Sequence, residues 1–259
     1  MKVQPAGGDT ATPLNLGKRV RLIARHAGPL AKQRMLDCGC GAGEYVRALL
    51  ERGADAYGVE FDERKLAGGS AQAGALVAGP ARSEGLASRL SVGDLEALAF
   101  PDASFDVALL NEVLEHVPDD AAALAEVRRV LRPDGRLVLL SPTRLYPFET
   151  HGVFWRGTGR RVPHTLPGIP WIPLALGSRI FDYWARNYWP WELRALVERA
   201  GFRVIATDAV WQTFENISGH QPRWLALLRP LLRALCAVCE RIPGLRAFGV
   251  SQVIVATPS

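Results

Sequence analysis

The sequence predicts an α/β protein built on a mostly parallel sheet with helices on both faces. Three observations predict it. Short, continuously apolar runs alternate with stretches of helical periodicity along residues 31–143. The first run leads straight into a glycine-rich turn, "MLDCGCGAGEY" at 35–45. The next two runs end in acids, Glu60 with Asp62 and then Asp94. Buried parallel strands need a crossover between them, and the alternating helices supply it.

The elements follow in order. "QRMLDC" is the first strand, and "GEYVRALLERGA" places Val46, Leu49 and Leu50 at helical spacing before it closes at Gly53. "DAYGVEFD" and "RLSVGDLEAL" are the second and third strands, and "SFDVALLNEVLEHV" begins as the fourth. "PDDAAALAEVRRVLRPDG" is a helix with Leu124, Val127 and Leu131 on one face, stopped by Pro133 and Gly135. "RLVLLSPT" is the fifth strand.

After residue 143 the pattern breaks, and all seven tryptophans, at 155, 171, 184, 189, 191, 211 and 224, lie beyond it. Residues 144–189, with prolines at 147, 163, 167, 170 and 173, read as a long irregular insertion, which in a compact domain is a lid or a binding loop. "PWELRALVERAGF" restores a helix with Pro190 in its first turn. Trp189 stands where a Ser or Thr cap is expected, so that helix start relies on packing. "FRVIATDAV" and "SQVIVATP" are the sixth and seventh strands, separated by a second insertion, 211–249, which holds the amphipathic stretch 224–241 with Pro230 near its start. The expected organisation is one domain over 1–259: an N-terminal helical cap (1–30), a ligand-binding core (31–143), the first insertion (144–189), and a closing segment (190–259).

Composition narrows the function. At 259 residues, 48% hydrophobic and 22% charged, the chain can bury one core with a substantial insertion. "MKVQPAGGDTATPLNLGKRV" contains no apolar run that suits a signal peptide, and no stretch reaches the roughly 18 apolar residues of a membrane span, so a cytoplasmic protein is expected. Cys38 and Cys40 lie in the glycine turn and Cys236 and Cys239 far away on a helical pattern, so the four read as small buried residues, and no metal is expected. Residues 1–34 carry seven Lys or Arg against one acid, residues 35–143 ten against eighteen, and residues 144–259 fourteen against seven. Basic flanks around an acidic middle argue against a nucleic-acid face and leave room for an anionic substrate or a membrane surface.

The turn itself separates ligand classes. A dinucleotide fingerprint spaces its glycines G-x-G-x-x-G, whereas here they are Gly39, Gly41 and Gly43, with Asp37 two residues before the first. A nucleoside triphosphate loop would require a following G-K-[ST], which is absent. Together with Glu60, Asp94–Leu95 and "FDVALLNEVLEHVPDDAAALAEVRRVLRPDGRLVLLSP", the turn resembles that of the class I S-adenosylmethionine (SAM)-dependent methyltransferases, in particular the group that includes the ubiquinone and menaquinone biosynthesis enzymes. The resemblance covers residues 30–143 well and the last helix and strands more loosely.

The resemblance implies a Rossmann-like sheet of seven strands, the last antiparallel, with insertions after strands 5 and 6, and SAM as cofactor. It implies a SAM site of Asp37, Gly39, Gly41, Gly43, Glu60, Phe61, Asp94, Leu95 and Asn111. Asp37 would face the methionine ammonium and Glu60 the ribose hydroxyls; Asp94 would take the adenine amino group. His116 in "LEHV" and His151 with Glu149 in "YPFETHGVFW" are the candidate general bases, each with an alternative as an ordinary packing or surface histidine. The expected acceptor is a small molecule, lipid or glycan, methylated at oxygen. The stretch 224–241 has three candidate partners: the body of the chain, a second subunit, or the inner face of a membrane. A nicotinamide-dependent oxidoreductase and a non-catalytic binder of the same fold are the competing readings.

Overall fold

The computed structural model describes residues 13–66, 85–164, 166–215 and 227–259. The first twelve residues of the expected cap and positions 224–226 of the amphipathic stretch lie outside them. The described strands are β1 Arg34–Cys38, β2 Asp55–Glu60, β3 Leu90–Val92, β4 Phe105–Asn111, β5 Leu131–Pro142, β6 Val153–Trp155, β7 Phe181–Tyr183, β8 Phe202–Val210 and β9 Ser251–Pro258. The helices are α1 Pro13–Ala27, α2 Glu44–Leu50, α3 Asp120–Val130, α4 Leu174–Gly177, α5 Pro190–Arg199, α6 Arg229–Cys239 and α7 Pro243–Arg246. The chain divides into two compact units. A sheet unit comprises the described parts of Lys18–Leu140, Arg194–Thr207 and Ile254–Ser259; an insertion unit comprises those of Met1–Gly17, Ser141–Leu193 and Asp208–Val253.

The sheet unit is organised around seven strands in the order β3-β2-β1-β4-β5-β9-β8. The pairs β1–β2, β2–β3, β1–β4 and β4–β5 are parallel, and the closing edge is antiparallel. Met35, Leu36, Leu109, Leu110, Leu137 and Leu139 are fully buried, as strands covered on both faces require. The strand order reverses between β1 and β4, which are paired through Leu36↔Ala108 and Cys38↔Leu110. Open parallel sheets bind ligands at the carboxyl ends of the strands at such a reversal. Cys38, Glu60 and Asn111 are the last residues of β1, β2 and β4, so the glycine turn and the two strand-end side chains share that edge.

Two boundaries differ from the sequence expectation. Helix α3 ends at Val130, and Leu131 is the first residue of β5, paired with Phe105, while Arg136 pairs with Val107; Arg132–Gly135 form an irregularity within the strand pair. Leu131 therefore belongs to the sheet and not to the helix face, because Pro133 turns the chain before another helical turn can form. The Asp119 side chain caps α3 by accepting from Ala121 N at 3.1 Å and Ala122 N at 3.0 Å. His116 precedes this cap in a single 3₁₀ turn, Leu114–His116.

The insertion unit is more regular than its sequence suggests. Strands β6 and β7 pair antiparallel, and Val153, Val162, Ile169 and Phe181 form a small core against them. The rings of Trp155 and Phe181 lie 5.1 Å apart, and those of Phe154 and Trp184 5.5 Å apart. The start of α5 is held by a Trp189–Trp191 stack with centroids 4.9 Å apart, as packing in place of a cap requires. It also has half of a capping box, since Glu192 Oε2 accepts from Trp189 N at 3.0 Å. Helix α6 begins at Arg229, with Pro230 in its first turn, where the missing N–H removes no hydrogen bond. No helix among the described residues is long and apolar enough to cross a membrane.

Candidate functional site

The three glycines are required for different physical reasons. All adopt left-handed backbone, with φ of +77° at Gly39, +55° at Gly41 and +86° at Gly43. At Gly39 a Cβ would lie 2.5 Å from Val113 Cγ2, and at Gly43 2.9 Å from Leu90 Cδ1, so these two let neighbouring side chains close over the turn. At Gly41 a Cβ would meet nothing within 4 Å. That position faces open space, where a ligand can approach the backbone. Val59 O anchors the turn from the adjacent strand by accepting from Gly39 N at 2.7 Å and Cys40 N at 3.0 Å.

Two carboxylates lie beside the turn. Asp37 is 2% exposed, and its Oδ2 finds no hydrogen-bond partner among the described groups. Burial, reinforced by the negative charges of Glu60 and Glu44, pushes its pKa up to about 8. Glu60, also buried, is fully engaged: Oε2 accepts from Gly41 N at 2.9 Å, and Oε1 accepts from Asp62 N at 3.1 Å and pairs with Lys65 Nζ at 3.3 Å. A buried acid with one unpartnered oxygen next to a side-chain-free stretch of backbone suits a compact ligand with a positive group, such as the α-ammonium of an amino acid.

Phe61, Asp94, Leu95 and Asn111 occupy the same edge of the sheet unit. Phe61 follows β2 and is 58% exposed, free to cover a flat ring. Asp94 lies just past β3, exposed, with Oδ1 accepting from Glu96 N at 2.9 Å, and Leu95 beside it is buried. Asn111 closes β4 and is 9% exposed. His116 is exposed on the following 3₁₀ turn, its backbone N bonded to Val113 O at 2.9 Å. His151 belongs to the insertion unit, where its Nδ1 lies 3.1 Å from Thr150 Oγ1.

Sequence reasoning missed several partners of these residues. Arg19, on α1 and 3% exposed, donates to Asn111 Oδ1 at 2.5 Å and to Glu112 Oε1 at 3.1 Å. One arginine among five basic residues in "GKRVRLIARHA" carries no mark that it alone turns inward. In the insertion unit the buried Glu149 accepts from Asn187 Nδ2 at 2.7 Å and from the backbone of Thr150 and His151, while His164 Nδ1 donates to Glu149 O at 2.9 Å. Asn187 and His164 are 15 or more residues away in sequence, and nothing local announces the pairing.

Comparison with known proteins gives the class. A methyltransferase-domain family model matches residues 36–139. An uncharacterized methyltransferase of Mycobacterium sp. strain JLS is 39% identical over 227 residues, covering 86% of this chain and 76% of that protein. The ubiquinone/menaquinone biosynthesis C-methyltransferase of Dinoroseobacter shibae is 40% identical over 121 residues, 45% of each chain, so this chain spans less than half of that relative's length. Among solved structures, a SAM-dependent methyltransferase from Mesorhizobium loti shares the fold over 92% of this chain and 96% of that one, with a TM-score of 0.56 and 20% identity. The chain belongs to the class I SAM-dependent methyltransferases. SAM is the cofactor of that family, and the nicotinamide reading falls with the assignment.

Proposed function

We propose that the protein transfers the methyl group of SAM to an oxygen of a small-molecule, lipid or glycan acceptor in the cytoplasm. The observation that carries the reading is the unpartnered, buried Asp37 oxygen beside the open backbone at Gly41. In this reading Asp37 holds the methionine ammonium, directly or through water, and Gly39, Gly41 and Gly43 let the backbone come close. Glu60 exchanges its present partners for the ribose hydroxyls; Phe61 and Leu95 flank the adenine, Asp94 accepts from its amino group, and Asn111 lines the strand edge. SAM supplies an electrophilic methyl group. The chain must hold an acceptor oxygen in line with it, exclude water and remove a proton, for which His116 and His151 are the candidates. The tryptophan-rich insertion supports an apolar or ring-containing acceptor.

Calorimetric titration of S-adenosylhomocysteine, and separately of NAD, into wild type and Glu60→Gln tests the donor site. Micromolar binding of the first alone, weakened at least tenfold (about 1.4 kcal/mol) by the substitution, is expected; absence of binding sinks the site. Labelled SAM offered with a panel of phenolic, lipid and sugar acceptors then tests the transfer. Loss of the base should lower kcat by about 10²–10⁴ and alter its pH profile, which His116→Ala and His151→Ala measure separately. The similarity to a C-methyltransferase supplies a second reading, a carbon acceptor, and the labelled atom in the product decides between them. Donor binding without transfer to any acceptor favours the non-catalytic reading.

A further inference from the structure

Helix α6 is turned inside out. Its polar side chains point to the protein: Arg233 Nε donates to Thr213 O at 2.7 Å, its guanidinium also reaches Phe214 O at 3.3 Å, and Glu240 Oε1 accepts from Trp211 N at 3.1 Å. Cys236 and Cys239 are buried on the same side. Its leucines point away. On the helix Leu231, Leu235 and Val238 follow one another at intervals of four and three residues, the spacing of a single helical face, and are 53–65% exposed; Leu227 before the helix and Ile242 and Leu245 after it are 44–83% exposed. The helical face ends before the extended Ile242, and past that break Leu245 on α7 adds a further exposed apolar side chain. A soluble surface rarely leaves so long an apolar row uncovered, because each such side chain is stabilised by leaving water.

We propose that α6 and α7 dock on an anionic lipid surface, with the leucine stripe entering the headgroup boundary. Charge selects this occupant over a second copy of the chain. Residues 227–248 contain four arginines and one acid, Glu240, which the Trp211 amide engages; Arg233 turns to the protein and Arg246 pairs with Asp208, which leaves the charges of Arg229 and Arg241 with no acid beside them among the described residues. Two copies placed face to face would bring Arg229 and Arg241 of each together with no acid from this segment to offset them, whereas anionic headgroups neutralise them. A shallow interfacial helix of this kind has an apolar face that enters about 5–10 Å and basic residues at the edge of that face. Arg229 lies two residues from Leu231, and Arg241 three residues from Val238. The inference stands independently of the methyl-transfer reading, because every residue that carries it is in the insertion unit.

The test is co-sedimentation of the full chain with vesicles of phosphatidylcholine alone and of phosphatidylcholine with about one third phosphatidylglycerol. Binding at least tenfold tighter to the anionic vesicles is expected, weakening as salt rises, and falling at least tenfold in Leu231→Ser/Leu235→Ser. Both positions are exposed, so the double variant should keep its melting temperature and its affinity for S-adenosylhomocysteine. No vesicle binding by the wild type, or equal binding by the variant, overturns the proposal. So does sedimentation velocity that shows a dimer which the variant dissociates, since a second copy then covers the face. Should the variant fail to fold, hydrogen exchange of wild-type residues 227–248 decides: slowing by anionic vesicles supports docking, and unchanged exchange overturns it.

Discussion

The buried Arg19 and the partly buried Glu112 form an ion pair, 3.1 Å from Nη1 to Oε1, and Glu112 is held at a left-handed φ of +59°. Strain of this kind costs roughly 1–3 kcal/mol and persists where surrounding contacts impose it. The same Nη1 reaches Asn111 Oδ1, so one guanidinium from α1 fixes two consecutive residues at the tip of β4.

Removing that guanidinium should therefore be costly. Arg19→Met is expected to lower stability by about 2–3 kcal/mol, because it leaves a largely buried carboxylate without this partner. Adding Glu112→Gly should recover more than half of the loss, since glycine accepts the positive φ and removes the charge. Urea denaturation of the two variants checks this; a double variant no more stable than Arg19→Met would mean that Glu112 is held by other contacts.

Asp37 predicts a pH dependence. Its folded-state pKa, near 8, lies above the unfolded carboxylate value of about 3.9, so the stability it contributes is present in full below about pH 4 and is lost as pH rises through 8. Ligand-free wild type should accordingly lose stability between pH 5 and 9 relative to Asp37→Asn. A positive ligand group beside the carboxylate favours its ionised form. Titrations of S-adenosylhomocysteine at pH 7 in buffers of different ionisation heat should thus show proton release that Asp37→Asn abolishes; identical release in both proteins would assign the proton elsewhere.

Gly39 and Gly41 should respond differently to the same substitution. Gly39→Ala forces a Cβ into Val113 as well as a strained φ, and should lower the melting temperature strongly. Gly41→Ala pays only the backbone cost, about 1–2 kcal/mol, yet fills the proposed ligand space. Calorimetry should find the S-adenosylhomocysteine affinity of Gly41→Ala reduced well beyond what its modest change in melting temperature implies.

In the insertion unit, Asn187→Ala should cost about 1–3 kcal/mol by taking a side-chain donor from the buried Glu149 carboxylate. Thermal unfolding measures it, and Asn187→Asp, which sets a second negative charge against Glu149, should cost more.

The alternation of apolar runs and the strand-end acids made the parallel core legible because both are local signals: burial on two faces writes itself as continuous apolar text, and Glu60 ends its strand at a fixed distance from the glycine turn. The β6–β7 pair was not legible, since its strands have three residues each and the intervening prolines suggest irregular chain. Arg19, Asn187 and His164 were invisible for another reason: their roles arise from partners 15 to 93 residues away. The direction of α6 could not be read either, because an amphipathic pattern shows that a helix has two faces but not which one the protein keeps.

The four cysteines have a practical consequence. All are buried and none is in a disulfide; Cys38 and Cys40 lie in the sheet unit, Cys236 and Cys239 in the insertion unit. Burial raises the pKa of Cys38 and Cys40, so these two thiols stay protonated and slow to react while the turn is closed. A thiol reagent must wait for local opening, and peptide mapping then dates each pair separately. The chain thus carries two chemical clocks, one per unit, which can test whether a cofactor quiets the first and a vesicle the second without any engineered label.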